Sequence, residues 1–234
     1  MVRPAMHQNG ELSRRVLLSG GLAAGLQAHL TRAAEPAQSG VPGAEALRML
    51  LAGNERYVAN HPKERNFDSG RAERVTGQRP FAAVLCCSDS RVAPEFVFDE
   101  GPGKLFVVRV AGNVLSDDGL ASLEYAVKYL GVRLVMVLGH RNCGAVDAAI
   151  KTVRTGEPLP GHLPGLIDSI APSVRSAMAG NPPDLLAAAI AENVRVTEQR
   201  ITAAAPVLAP VVASGEVKVA GGVYDLANGR VSLV

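Results

Sequence analysis

Tryptophan is absent from this 234-residue chain and all aromatics together make up 4% of it, so it lacks the stacking platforms on which nucleic-acid bases are held. It also lacks an excess of basic charge. Arg3, Arg14, Arg15 and Arg32 fall in the first 34 residues with only Glu11 against them, which leaves 20 basic and 21 acidic residues in the rest. A near-neutral body with few aromatics excludes nucleic acid as a partner. Long apolar runs are missing too. The stretch from Val16 to Leu26 is broken by Ser19, Gly20, Gly21 and Gly25 and is shorter than the ~20 residues a spanning helix needs, so no permanent membrane anchor is expected. Cysteine is scarce, with three in all, and Cys86 and Cys87 are adjacent. A bridge between neighbours is strained, which argues against a disulfide framework and for metal ligation.

Ser13-Arg14-Arg15-Val16-Leu17-Leu18 ahead of the short apolar stretch resembles a twin-arginine export signal. Residues 1–36 are therefore expected to be a leader and the start of a linker, with a periplasmic or otherwise exported mature protein. Residues 37–234 then form one domain, a length that suits a single core.

Within that domain, Leu47, Leu50, Leu51, Tyr57 and Val58 recur at helical spacing and predict an amphipathic helix from Ala44 to Ala59. The segment from Lys63 to Arg79 has little periodicity and reads as loop with one short helix. Three Val-rich runs follow, Phe81–Cys87, Leu105–Val110 and Leu134–Leu138, each nearly uninterrupted, as in strands covered on both faces. Between the second and third, Leu120, Leu123, Val127 and Leu130 mark a helix with Ser116 or Asp117 as N-cap and Gly131 as C-cap. This strand-helix-strand unit predicts a parallel pair joined by a right-handed crossover. Further helices are expected over Ala145–Val153 and Asp184–Ala204, and strands over Glu216–Tyr224 and Arg230–Leu233 around an Asn228-Gly229 turn. The fold class is α/β, a mainly parallel central β-sheet flanked by helices.

Placing the reactive side chains on this sketch locates a site. Cys87 ends the first strand, and His140 and Cys143 follow the third. Sites of parallel sheets lie beyond the carboxyl ends of strands. Two thiolates and an imidazole suit Zn2+, and three protein ligands leave one tetrahedral position for water, as in a catalytic site. Zinc brings the pKa of that water toward neutrality and so supplies a hydroxide nucleophile. In Cys87-Ser88-Asp89-Ser90-Arg91, a guanidinium two residues beyond a carboxylate is close enough to clamp it bidentately and hold it off the metal. Cys86 should face the other side of its strand. His7, His29, His61 and His162 are expected to have no metal role.

Cys87-Ser88-Asp89-Ser90-Arg91 together with His140-Arg141-Asn142-Cys143-Gly144 resembles the paired motif of beta-class carbonic anhydrases. Gly53-Asn54-Glu55-Arg56-Tyr57, Phe106-Val107-Val108-Arg109, Ser122-Leu123-Glu124-Tyr125-Ala126 and Gly222-Val223-Tyr224-Asp225 look like further landmarks of that family, in the right order. The resemblance implies reversible hydration of carbon dioxide to bicarbonate by a zinc-bound hydroxide, one zinc per subunit. Cys87, His140 and Cys143 would be the ligands, and Asp89 and Arg91 the catalytic dyad. It also implies Gln78 as a substrate-orienting amide, Phe106 and Tyr125 as pocket residues reaching in from a partner subunit, and the Gly144 N–H as an anion contact. A homodimer or higher homo-oligomer follows, the first helix packing on the partner. Arg141 departs from the small hydroxylated residue usual in the family. Val84 stands where a Trp supports a second, inhibitory bicarbonate pocket in some members, so the open form is expected. Relatives of this fold also hydrolyse carbonyl sulfide or carbon disulfide, and a non-catalytic zinc-binding module is a reading of another class.

Overall fold

The computed structural model describes residues 40–234. The twin-arginine stretch, its apolar run, His7 and His29 lie outside the described residues.

Helix α1 (Gly43–Val58) opens the described chain. Ala46 and Leu50 on its apolar face are fully buried against the sheet of the same chain. Gly53 lets the helix come close: a Cβ there would lie 1.8 Å from the carbonyl oxygen of Phe98. The next residue, Asn54, is 4% exposed and spends its amide on backbone, Nδ2 donating to Val97 O at 3.0 Å and Gly229 O at 2.8 Å while Oδ1 accepts from Val231 N at 2.8 Å. Arg56 pairs with the buried carboxylate of Asp99, which also receives Arg65. The Gly53–Arg56 segment thus ties α1 to two remote loops through groups that would otherwise be buried unpaired.

A short helix α2 (Arg71–Thr76) interrupts the loop that follows. Strand β1 (Ala82–Cys86), a one-turn helix α3 (Pro94–Val97) and strand β2 (Leu105–Arg109) come next. Helix α4 (Asp117–Leu130) begins at the predicted cap, with Ser116 Oγ accepting from Gly119 N at 3.2 Å, and ends at Gly131 in the left-handed region. Then come β3 (Leu134–His140), α5 (Gly144–Thr155), α6 (Leu163–Ala179), α7 (Leu185–Thr202), α8 (Leu208–Ala213), β4 (Lys218–Tyr224) and β5 (Val231–Leu233). Asp184 caps α7 as expected, its Oδ1 accepting from Ala187 N at 2.9 Å.

The strands form one sheet in the order β2-β1-β3-β4-β5. The first four run parallel and β5 returns antiparallel to β4. This corrects one expectation. β2 and β3 are parallel but not neighbours, because β1 lies between them and pairs with both. The helix α4 connection therefore passes over β1, and the strand order reverses direction at the β1/β3 boundary, where such sheets open a crevice at their carboxyl ends.

Each central strand alternates its side chains between two cores. Val84 and Cys86 of β1, with Leu134, Met136 and Leu138 of β3, face the core shared with α1. Ala83, Leu85, Val135 and Val137 face the opposite one, closed by Leu123 of α4 and Val194 and Ile201 of α7. Both faces being covered accounts for the uninterrupted apolar runs.

Helix α6 was not anticipated, although Ile167, Ile170, Ala171 and Val174 are buried at helical spacing. Pro164 and Pro172 obscure the pattern. Pro164 sits in the first turn, where no intrahelical N–H is needed. Pro172 deprives the Asp168 carbonyl of its donor, but both residues lie on the exposed side of the helix, where water serves instead. Among the described residues, no helix is long and apolar enough to cross a membrane.

Candidate metal centre

Cys87 follows the last residue of β1, His140 is the last residue of β3, and Cys143 is the N-cap of α5. Two adjacent strands at the reversal point and one helix N-terminus thus bring three ligand atoms together. Their side chains are buried, and Cys87 Sγ, Cys143 Sγ and a ring nitrogen of His140 lie within 4.8 Å of one another. Cys86 points into the opposite core, as strand alternation requires, and burial pushes its thiol up to about 12, so it stays a neutral apolar filler. His61 and His162 are exposed and stand apart from this group.

The chemistry of the donors fits a divalent zinc ion. His140 Nδ1 lies 2.8 Å from the backbone carbonyl of Arg141. A carbonyl only accepts, so Nδ1 carries the proton and Nε2 presents its lone pair. That Nε2 is buried without a hydrogen-bond partner, the arrangement of a histidine oriented for a metal. A hydrogen bond from Cys143 and those from the backbone N–H groups of Gly112 and Asp89 hold the Cys87 thiol well below its usual range, against the opposing effect of burial. Cys143 is held up by its hydrogen bond to Cys87 and by burial, while the Val146 and Ala145 N–H groups at the start of α5 pull the other way.

Asp89 and Arg91 meet as the spacing suggests. Arg91 Nε donates to Oδ1 at 2.9 Å and Nη2 to Oδ2 at 2.7 Å, and the Arg91 backbone N–H adds a bond to Oδ1 at 3.0 Å. The Arg91 guanidinium holds the Asp89 carboxyl far below the usual carboxylate range, outweighing partial burial. Asp89 Oδ2 stands 3.8 Å from His140 Nε2, next to the ligand group.

Arg109 contributes a contact that sequence reasoning missed. Its Nε donates to Cys87 O at 3.2 Å and its Nη2 to Asp89 O at 2.7 Å, so one side chain from the end of β2 braces the loop carrying both Cys87 and the Asp89 carboxylate. The β1–β2 register, in which Arg109 stands opposite Cys86, makes this reach possible. An Arg at the carboxyl end of an otherwise apolar strand was the available signal.

Gln78 is exposed in the extended segment before β1. Gly144, the first residue of α5, is exposed, and a Cβ there would meet nothing within 4 Å. Phe106 and Tyr125 come together, ring centroids 6.3 Å apart, and Tyr129 extends the cluster at 5.4 Å from Tyr125. They are not gathered at their own chain's ligand group. Phe106 pairs with Ala83, three rungs before the Cys86–Arg109 pair, which places it about 10 Å back along the sheet. Tyr125 is 46% exposed on the outer side of α4. Arg141 is half-exposed and stands 3.7 Å from Asp184 at the start of α7.

Residues 82–231 match the family model described as carbonic anhydrase. A carbonic anhydrase of Mycolicibacterium smegmatis is 40% identical over 192 residues, covering 80% of this chain and 91% of that protein. Carbonic anhydrase 2 of Mycobacterium tuberculosis is 38% identical over 191 residues with the same coverage, 80% and 91%. Among solved structures, the beta-carbonic anhydrase CcaA superposes with a TM-score of 0.64 at 26% identity, over 80% of this chain and 94% of that one. A Coccomyxa beta-carbonic anhydrase in complex with acetazolamide gives 0.61 at 26% identity, over 80% and 81%. A family match over residues 82–231, relatives of nearly the same extent and the shared beta-class fold lead to one assignment: the chain belongs to the carbonic anhydrase family, in its beta class.

Proposed function

We propose that this enzyme hydrates carbon dioxide reversibly at a zinc ion held by Cys87 Sγ, His140 Nε2 and Cys143 Sγ, with Asp89 and Arg91 governing the site. The observation that carries the reading is the unpartnered, buried Nε2 of His140 beside two thiols, with the Asp89 carboxylate 3.8 Å away. Held by these three residues, a zinc ion would supply the acidification of water that makes a hydroxide nucleophile available near neutral pH.

The chain's own residues supply the rest. Asp89, kept ionised by Arg91, accepts a hydrogen bond from the attacking water and fixes its orientation. The bidentate Arg91 pair keeps that carboxylate from becoming a ligand itself. Gly144 leaves room beside Cys143, and as the first residue of a helix its N–H has no intrahelical acceptor and can meet the bicarbonate anion. Gln78 orients substrate. Phe106 and Tyr125 line the pocket of a second copy in a homodimer or larger assembly, supported by their distance from their own ligand group and by the exposure of Tyr125. In that assembly the outer face of α1 packs on the partner.

Stopped-flow measurement on the zinc-loaded protein tests the reading, with turnover expected on carbon dioxide. Faster turnover on carbonyl sulfide or carbon disulfide would reassign the same site to the sulfur analogues. A protein that binds zinc but turns over none of these, with Asp89→Asn no different from the parent, would be a non-catalytic zinc module. The Arg14-Arg15 motif supports export to the periplasm, and cell fractionation of an Arg14→Lys/Arg15→Lys variant, expected to stay in the cytoplasm, checks it.

A further inference from the structure

A polar path leads from the ligand group into the helices behind it. The Gly112 N–H lies 3.2 Å from Cys87 Sγ and donates to it. The carbonyl of Gly112 accepts from Asn193 Nδ2 of α7 at 2.8 Å. Asn193 Oδ1 in turn faces Ser173 Oγ of α6 across a longer 3.4 Å contact. Asn193 and Ser173 are 3% and 0% exposed, among the few polar side chains inside this part of the molecule. The amide orientation is fixed by chemistry, because the Gly112 carbonyl can only accept, which turns Nδ2 toward it and Oδ1 toward the hydroxyl.

Gly112 occupies the left-handed region, with φ +67°, and a Cβ there would lie 2.7 Å from Ile170 Cδ1 and 3.2 Å from Ala145 Cβ. The turn is therefore pressed by α5 and α6 while α7 holds its carbonyl. The N–H that meets the sulfur belongs to the Ala111–Gly112 peptide and the carbonyl held by Asn193 to the Gly112–Asn113 peptide, two planes hinged at the Gly112 Cα. Anchoring the second, with Ile170 and Ala145 packed against the hinge, limits the reorientation at Gly112 that would carry the N–H off the sulfur. A hydrogen bond to a ligating thiolate withdraws charge from sulfur, so the metal beyond it keeps more of its positive charge and acidifies bound water more strongly.

We propose that Asn193 is a positioning residue for the Cys87 sulfur, acting through the backbone turn at Gly112, with Ser173 orienting its amide. The proposal rests on the reading of Cys87, His140 and Cys143 as metal ligands. It separates Asn193 from a side chain that merely satisfies a buried carbonyl.

The test uses the full-length protein loaded with cobalt(II), whose sulfur-to-metal charge-transfer band reports electron density on the thiolates. Asn193→Leu, similar in volume but unable to donate, is expected to move that band to longer wavelength. It should also weaken metal binding by about 10-fold in competition with a chromophoric chelator. Ser173→Ala should move the band in the same direction by less. A fall in melting temperature with band and affinity unmoved would mean that Asn193 is structural only and would overturn the proposal. If Asn193→Leu does not fold, Ser173→Ala decides, and an unmoved band there overturns it equally. A parent protein that takes up cobalt without any such band would overturn the ligand assignment, and this proposal with it.

Discussion

Arg91 grips Asp89 at three points, its Nε and backbone N–H on Oδ1 and its Nη2 on Oδ2, while that same Oδ2 stands 3.8 Å from His140 Nε2. The carboxylate is thus poised between a guanidinium and a ligand group, and which of the two it serves depends on the strength of the clamp. In the conformation described here it serves the guanidinium.

Removing the clamp should therefore close the site while leaving the metal in place. Arg91→Ala is expected to cut carbon dioxide hydration by about 100-fold, the scale of a lost orienting group, with zinc content by elemental analysis unchanged. Loss of zinc in parallel with activity would show that Arg91 supports the ligand loop and does not control Asp89.

Asp99 makes a prediction about pH. Burial alone would raise its carboxyl, but Arg56, Arg65 and the Lys63 N–H bring it below its ordinary value. A carboxyl lowered in the folded state contributes stability above its unfolded pKa of about 3.9, and that contribution is lost as pH falls through the folded value. Asp99→Asn should destabilise the protein by about 3 kcal/mol at pH 7, as when one partner of a buried ion pair is removed. Urea unfolding of parent and variant should show the gap narrowing below about pH 4.

Asn54 should matter as much without any charge. Asn54→Ala leaves the Val97 and Gly229 carbonyls and the Val231 N–H without their partner, and each unsatisfied buried group costs about 1–3 kcal/mol. A loss of roughly 3 kcal/mol is expected in denaturant unfolding, with α1 and the β4–β5 turn losing amide-exchange protection together. Protection lost in α1 alone would contradict the link.

The grouping of Cys87, His140 and Cys143 was legible before any fold was known, because a cysteine at one strand end and a His-x-x-Cys at another are local patterns, and so was the Asp89–Arg91 pair, two residues apart. Local rules likewise narrowed the α4 cap to Ser116 or Asp117, marked Gly131 as its stop and pointed to the parallel character of the sheet, since periodicity and capping depend on neighbours within a few residues. Sequence could not order β1 between β2 and β3, nor see a helix through Pro164 and Pro172, because proline costs a helix only what the surrounding structure and solvent fail to restore. Arg109 reaches Cys87 from 22 residues away and Asn193 reaches Gly112 from 81. No local spacing encodes such pairs. A buried donor takes whichever acceptor the packed faces leave beside it, and that is settled only when the helices close over the sheet.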